Sequence, residues 1–316
     1  MRTARHIITE HSWRTRLSLL SGLLLLCSIG LYWKHISIES SELKQQIAAL
    51  VLLLGLWLVL HICPRFGLFS NPEANALANR GRRFLLISIY FPVLSAAFCV
   101  LSYLAISLHF PCIDQELAAA DRLIGFDWKA YYDWVTKNNN LALIMLFAYK
   151  SIAWQQFPVI LVSGFFSPVE RLNEFIGLVI VSSLIVIVMV SLFPAQGAFF
   201  YYHQSNALGR IWVSDFLSIW NGRMPVIDLS RLQGLVTMPS FHTCIAIFYI
   251  YALRDHRWLM WPALILNCLM ILATPVYGGH YLLDVLAGLL LSIGLIVLSS
   301  PAKIRFGTEQ GRINCT

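Results

Sequence analysis

Charge is scarce in this chain. Asp, Glu, Lys and Arg make up 12% of its 316 residues, and hydrophobic residues make up 58%. A soluble globular domain carries about twice that charged share, so the composition excludes one. Short alternating segments are also missing. A transmembrane barrel would show ~10-residue strands of alternating polarity, whereas the apolar runs here are continuous and much longer. Helices are then the way across, because lipid leaves no backbone polar group unpaired. The seven cysteines form no C-x-x-C pair, so neither a disulfide framework nor a zinc site is indicated. The net charge of +7 is spread over short loops and flanks without a basic stripe. That excludes a nucleic-acid partner and fits positive charge retained on the cytoplasmic side.

What is present is apolar length. A helix needs ~20 apolar residues to cross the bilayer. Eight runs qualify as candidates, roughly 17–33, 46–63, 84–108, 139–163, 173–194, 240–254, 258–275 and 281–299. The expected fold is therefore all-α, a polytopic membrane helix bundle of about eight transmembrane helices. The run from Leu17 to Trp33 follows a basic N-terminus, but Lys34-His-Ile and not a small-residue cleavage site comes after it. It reads as a retained signal anchor. With the N-terminus inside, 14 of the 23 Lys and Arg residues fall in inside segments, 8 fall outside, and Lys150 lies within a span. The bias favours N-in and C-in. Two outside segments exceed simple connections. One, 109–138, mixes aromatics and carboxylates, as a helix at the interface does. The other, 195–239, carries Arg210, Arg223 and Arg231 and leads into the sixth run as a substrate-facing lid.

Two short motifs carry the chemistry: Met-Pro-Ser240-Phe241-His242-Thr and Gly-Gly279-His280-Tyr-Leu-Leu-Asp284. Each stands at the start of an apolar run, and the alternation of spans puts both on the outer face. His280 and Asp284 are four residues apart and share a helix face. A carboxylate one turn on can hold one ring nitrogen and leave the other free to attack. Asp284 is also costly inside a span unless it serves a purpose. His242 is a second titrating group able to protonate a leaving oxygen. A single histidine at a helix end is ordinarily an interfacial polar residue. The pairing of His280 with Asp284, opposite a second histidine preceded by Pro-Ser, favours chemistry. Lys150, Ser151, Gln155 and Gln156 make a polar stretch in the fourth run, read as interhelical hydrogen bonding, a pocket wall or a catalytic contribution.

These motifs resemble the second and third signatures of the phosphatidic-acid phosphatase type 2 superfamily, P-S-G-H and S-R-x5-H-x3-D. Pro239-Ser240-Phe241-His242 matches the first with Phe for Gly, and Gly278-x-His280-x3-Asp284 matches the core of the second. The longer strings 234–243 and 273–288, together with Asp121-Arg-Leu-Ile-Gly-Phe-Asp127-Trp128, are similar to the branch that includes inositol phosphorylceramide synthases and bacterial relatives. The likeness covers roughly 110–290. It implies a phosphatase- or phosphotransferase-like membrane core over 111–300, while the N-terminal transmembrane helices over 1–110 rest on hydropathy alone and a cytoplasmic tail over 301–316 on the charge bias.

The resemblance implies a mechanism. His280 attacks phosphorus, Asp284 orients it, and His242 protonates the leaving group. Ser240, Phe241 and the backbone amides of the sixth helix hold phosphate oxygens. No cofactor or metal is implied. The substrate is a lipid phosphate met among membrane lipids, in a bacterial inner membrane, with the site facing the periplasm. Oligomeric state is not indicated. The chain departs from the pattern in its cations. Aligned on His280, the family's Ser-Arg pair falls on Ala273 and Thr274, and K-x6-R-P is mimicked only by Lys150-x6-Phe157-Pro158. Arg231, then Arg223 and Arg210, are the candidates to replace the clamp, with Thr274 as a phosphate-binding position. A catalytically degenerate lipid-binding or transport protein of the same fold is the alternative. An intramembrane serine protease using Ser240 lacks the Gly-x-Ser-Gly setting.

Overall fold

A computed structural model describes residues 13–63, 71–204, 206–224, 226–228 and 234–299. Arg231 and the segment 301–316 lie outside the described residues. The described residues are mainly helical, with one two-residue parallel pairing among them, β1 (Ser37–Ile38) with β2 (Val226–Ile227). The helices are α1 (Trp13–Trp33), α2 (Ser40–Ile62), α3 (Pro72–Ile106), α4 (Asp114–Leu123), α5 (Trp128–Lys137), α6 (Asn139–Lys150), α7 (Ile152–Phe165), α8 (Val169–Leu192), α9 (Ala198–Tyr201), α10 (Ala207–Trp220), α11 (Phe241–Ala252), α12 (Arg257–Tyr277) and α13 (Leu282–Ser299).

Local sequence sets many of these boundaries. Asn71, Asp127, Asn138, Asn206 and Ser240 each cap the helix that follows by accepting an amide two or three residues on, the exchange that satisfies a first-turn donor. Pro72 occupies the first turn of α3, where its missing N–H costs nothing.

Five helices, α1, α3, α8, α12 and α13, are long and apolar enough to cross a membrane, and Ile47–Ile62, Ile152–Phe165 and Phe241–Ala252 are shorter apolar helices. Large apolar side chains point outward, among them Leu52 and Leu290, each 74% exposed. Such faces suit lipid and not water, and the protein is an integral membrane protein. The expected fourth span, 139–163, is instead two helices that break at Ser151. There the Ser151 hydroxyl donates back to the Ala148 carbonyl and receives a bond from Gln155 Nε2 at 2.6 Å. Gln155 Oε1 in turn accepts from Asn267 of α12 at 2.7 Å. The polar stretch is thus satisfied sideways, between helices. Lys150 itself faces outward, beside the paired rings of Phe147 and Trp154.

The expected sixth span is also short. The 12 residues of α11 cover about 18 Å, less than the ~30 Å hydrocarbon core. Instead α11 is the buried axis of the bundle, packed against α7, α8, α12 and α13. It meets α13 at Gly288, where an added Cβ would stand 2.6 Å from the Ser240 carbonyl and 3.0 Å from Thr243 Cβ. Glycine is what allows that approach.

The connections gather at two ends. At one end Lys34 Nζ donates to the Ser107 carbonyl, Ile113 N–H to Pro194, and the Thr237 hydroxyl to Ala195. At the other, Glu174 of α8 accepts from Tyr251, Arg254 and Ser299, while Arg171 pairs with Asp255. Buried Arg16 donates to the Asn173 carbonyl at 3.4 Å. Both histidine motifs belong to the first end. The segment 109–138, expected as an interfacial helix, forms the two amphipathic helices α4 and α5 there.

Candidate active site

The two motifs meet through their backbones. The Ser240 amide donates to the Asp284 carbonyl at 3.0 Å. Ser240 then caps α11, its hydroxyl accepting from Thr243 at 3.5 Å. These bonds place His242 in the first turn of α11 against His280, with ring centroids 6.3 Å apart and planes at 64°. His280 lies in the turn between α12 and α13, 3% exposed, and Asp284 is fully buried. Asp284 Oδ2 faces His280 Nδ1 at 3.4 Å and accepts the Tyr281 amide at 2.9 Å. The imidazole contact is the longer of the two, so the carboxylate is anchored first by the backbone and orients the ring second. Asp284 Oδ1 is buried with no partner.

Burial pushes the His280 imidazole down, to about 4, against the Thr237 backbone hydrogen bond that pulls it up. The ring is therefore neutral at pH 7, the state a nucleophile requires.

The turn that carries His280 is held from several sides. Gly279 has φ +64°, and a Cβ there would stand 2.4 Å from the Phe199 ring. Only glycine fits both the left-handed backbone and the ring. The Gly279 carbonyl accepts from Ala198 N–H at 2.8 Å, and the His280 carbonyl accepts from Trp128 Nε1 at 3.0 Å. Trp128 is itself buried and stacked between Tyr132 and Tyr202, centroids 5.1 and 5.2 Å away.

Two carboxylates of α4 complete the support, and sequence reasoning gave neither a role in the site. Asp121 accepts the Leu282 and Leu283 amides at 2.9 and 3.0 Å, capping the helix that bears Asp284. Asp114 accepts the Gln196 and Gly197 amides, both at 2.8 Å, and the Tyr281 hydroxyl at 2.9 Å. It joins the start of the 195–239 segment to the turn that carries His280. Burial pushes both carboxyls up, while the bonds they accept pull them down. The signal was legible: Asp114, Leu117, Ala118 and Asp121 are the buried residues of α4, a stripe at i, i+3, i+4 and i+7 with two carboxylates in it.

The remaining expected phosphate contacts divide. The Phe241 and His242 amides stand in the first turn of α11 without an acceptor inside the helix, beside His280. The Ser240 amide is already spent on Asp284. Thr274 is fully buried, and its hydroxyl donates to the Met270 carbonyl at 2.8 Å, so it is turned into its own helix. Arg210 and Arg223 are exposed. Arg231 lies outside the described residues. Among the described residues, no group of three or more His, Cys, Asp or Glu side chains converges as a metal site.

The bundle thus gathers a buried His-Asp pair, a second histidine across from it and a helix N-terminus at one end. A family model described as the PAP2 superfamily matches residues 115–298. The chain belongs to that superfamily, whose members are generally phosphoesterases. No curated protein and no solved structure gives a match to the chain.

Proposed function

We propose that this protein is a lipid-phosphate phosphatase or phosphotransferase working through a phosphohistidine on His280. The observation that carries the reading is the 6.3 Å approach of His242 to His280, with Asp284 behind the latter. A phosphoryl group between two imidazoles is attacked from one side and loses its alcohol or phosphate on the other. His280 forms the N–P bond as the P–O bond to the leaving group breaks. His242 gives a proton to the departing oxygen. Water, or a lipid hydroxyl, then attacks phosphorus, His242 takes its proton, and His280 is released. The Phe241 and His242 amides at the α11 N-terminus hold phosphoryl oxygens, and Arg231 joins them as a cation.

The same reading counts eight passes through the bundle, with α6 and α7 together as one and the short, buried α11 as another, N-in and C-in, and the site on the extracytoplasmic face of a bacterial inner membrane. Its support is that segments assigned to one side by charge contact each other: 34–39 with 107 and 226–227, and 167–171 with 255–256. Residues 1–110 are N-terminal transmembrane helices, 111–300 the catalytic core and 301–316 a cytoplasmic tail.

The test is phosphate release from a mixed panel of lipid phosphates, with and without added lipid alcohol. Wild-type release abolished in His280→Ala supports the enzyme, and a new lipid product in place of free phosphate marks the transferase. Equal behaviour of wild type and variant contradicts it and leaves the lipid-binding alternative.

A further inference from the structure

The family's Ser-Arg pair falls here on Ala273 and Thr274, the Arg of its first signature falls on Phe157, and the Thr274 hydroxyl is turned away. One unused donor does face the site. The Tyr149 ring, near the end of α6, lies parallel to the His242 imidazole, centroids 4.5 Å apart and planes at 14°. Its hydroxyl comes within 3.1 Å of the point where a Cβ on Gly278 would stand, and His280 Cδ2 lies 2.8 Å from that same point. Tyr149 therefore reaches from one histidine to the other.

Its hydroxyl is idle. Four nearby tyrosines spend theirs: Tyr131 on the Leu272 carbonyl, Tyr277 on Ala142, Tyr249 on Ile152 and Tyr281 on Asp114. Tyr149 donates to no group among the described residues. The Tyr149 side chain is half-buried, so its unbonded hydroxyl is open to a partner from outside the chain. A free O–H beside both imidazoles fits the missing one: a non-bridging phosphoryl oxygen, where charge accumulates during transfer.

We propose that Tyr149 touches the substrate, donating its hydroxyl hydrogen bond to a non-bridging phosphoryl oxygen, while its ring holds the His242 imidazole in place. This rests on the phosphoryl-transfer reading of His242 and His280. The phenol keeps its proton throughout. The only bonds made and broken are those to phosphorus, and the proton in transit belongs to His242. The contact recruits a neutral donor from α6, outside both histidine motifs, for work done by cations in the family's usual pattern.

The test uses purified full-length protein, with orthovanadate as the probe. Tyr149→Phe keeps the stacked ring and removes only the donor. Expected are an unchanged melting temperature, a loss of about tenfold or more in vanadate affinity, and a fall in kcat of about 10- to 100-fold with little change in KM. Incorporation of 3-fluorotyrosine at position 149 gives a second reading that does not depend on how well the phenylalanine variant folds. Its fluorine resonance moves when vanadate binds. If Tyr149→Phe matches wild type in kcat and vanadate affinity while His280→Ala abolishes both, the role of Tyr149 is overturned and the phosphoryl-transfer reading stands. An unmoved resonance in protein that binds vanadate does the same. A wild type that neither binds vanadate nor turns over any lipid phosphate overturns both.

Discussion

The backbone amide of Ser240 donates to the backbone carbonyl of Asp284 at 3.0 Å. Through that bond the cap of one helix is fastened to the first turn of another, and the two histidines take their spacing from it. One turn further along α13, Gly288 lets the two helices touch. Gly288→Ala puts a methyl group into the Ser240 carbonyl and forces the helices apart. A loss of about 1–3 kcal/mol is expected, together with a larger proportional loss of turnover. Thermal melting and phosphate-release assays on the same preparation check both.

Gly279→Ala separates activity from folding. The left-handed backbone at +64° and the Phe199 ring both resist a Cβ, so the turn must rearrange, and His280 moves with it. The helices on either side are packed independently. Turnover should fall at least tenfold, since small displacements in a site are costly, while the helical circular-dichroism signal is retained. Full activity in this variant would show that the turn does not position His280.

Asp121→Ala removes the cap on Leu282 and Leu283. Losing a cap costs about 0.5–2 kcal/mol, and here it loosens the helix end that holds Asp284. Asp121→Asn keeps one acceptor oxygen and should recover part of the loss. The comparison of kcat across the three proteins reads the positioning, because Asp121 hydrogen-bonds the helix amides and not the Asp284 side chain.

The legible part of this protein was the meeting of its two motifs and its outline. His242, His280 and Asp284 were readable from spacing, and alternation of spans predicted that they meet at one end of the bundle. Three things were hidden. The break at Ser151 is tied through Gln155 to Asn267, more than a hundred residues away, which no local window sees. The burial of α11 as an axis comes from its packing against α7, α8, α12 and α13, which its own hydropathy does not reveal. The support from Asp114, Asp121 and Trp128 is tertiary. Only the two carboxylates left a trace, as charges in the buried stripe of a short helix. Tyr149 left none, since an aromatic in an apolar run reads as packing.

The neutrality of His280 gives a pH prediction. Its folded value of about 4 lies below the ordinary 6.5. The unfolded chain therefore takes up a proton here before the folded protein does. The stability tied to this group is present above about 6.5 and lost as pH falls from there towards 4. For catalysis the nucleophile stays neutral over that same range. The acid limb of kcat/KM assigned to His280 should fall near pH 4. A limb near 6.5 would mean that the ring is solvated in the working enzyme.

The most direct measurement is rapid quenching of the enzyme with a phosphorus-labelled lipid phosphate, followed by peptide mapping under alkaline conditions, where phosphohistidine survives. The account predicts acid-labile label on His280 during turnover, and none in His280→Ala. Turnover without any labelled protein, or label that persists in His280→Ala, would contradict it.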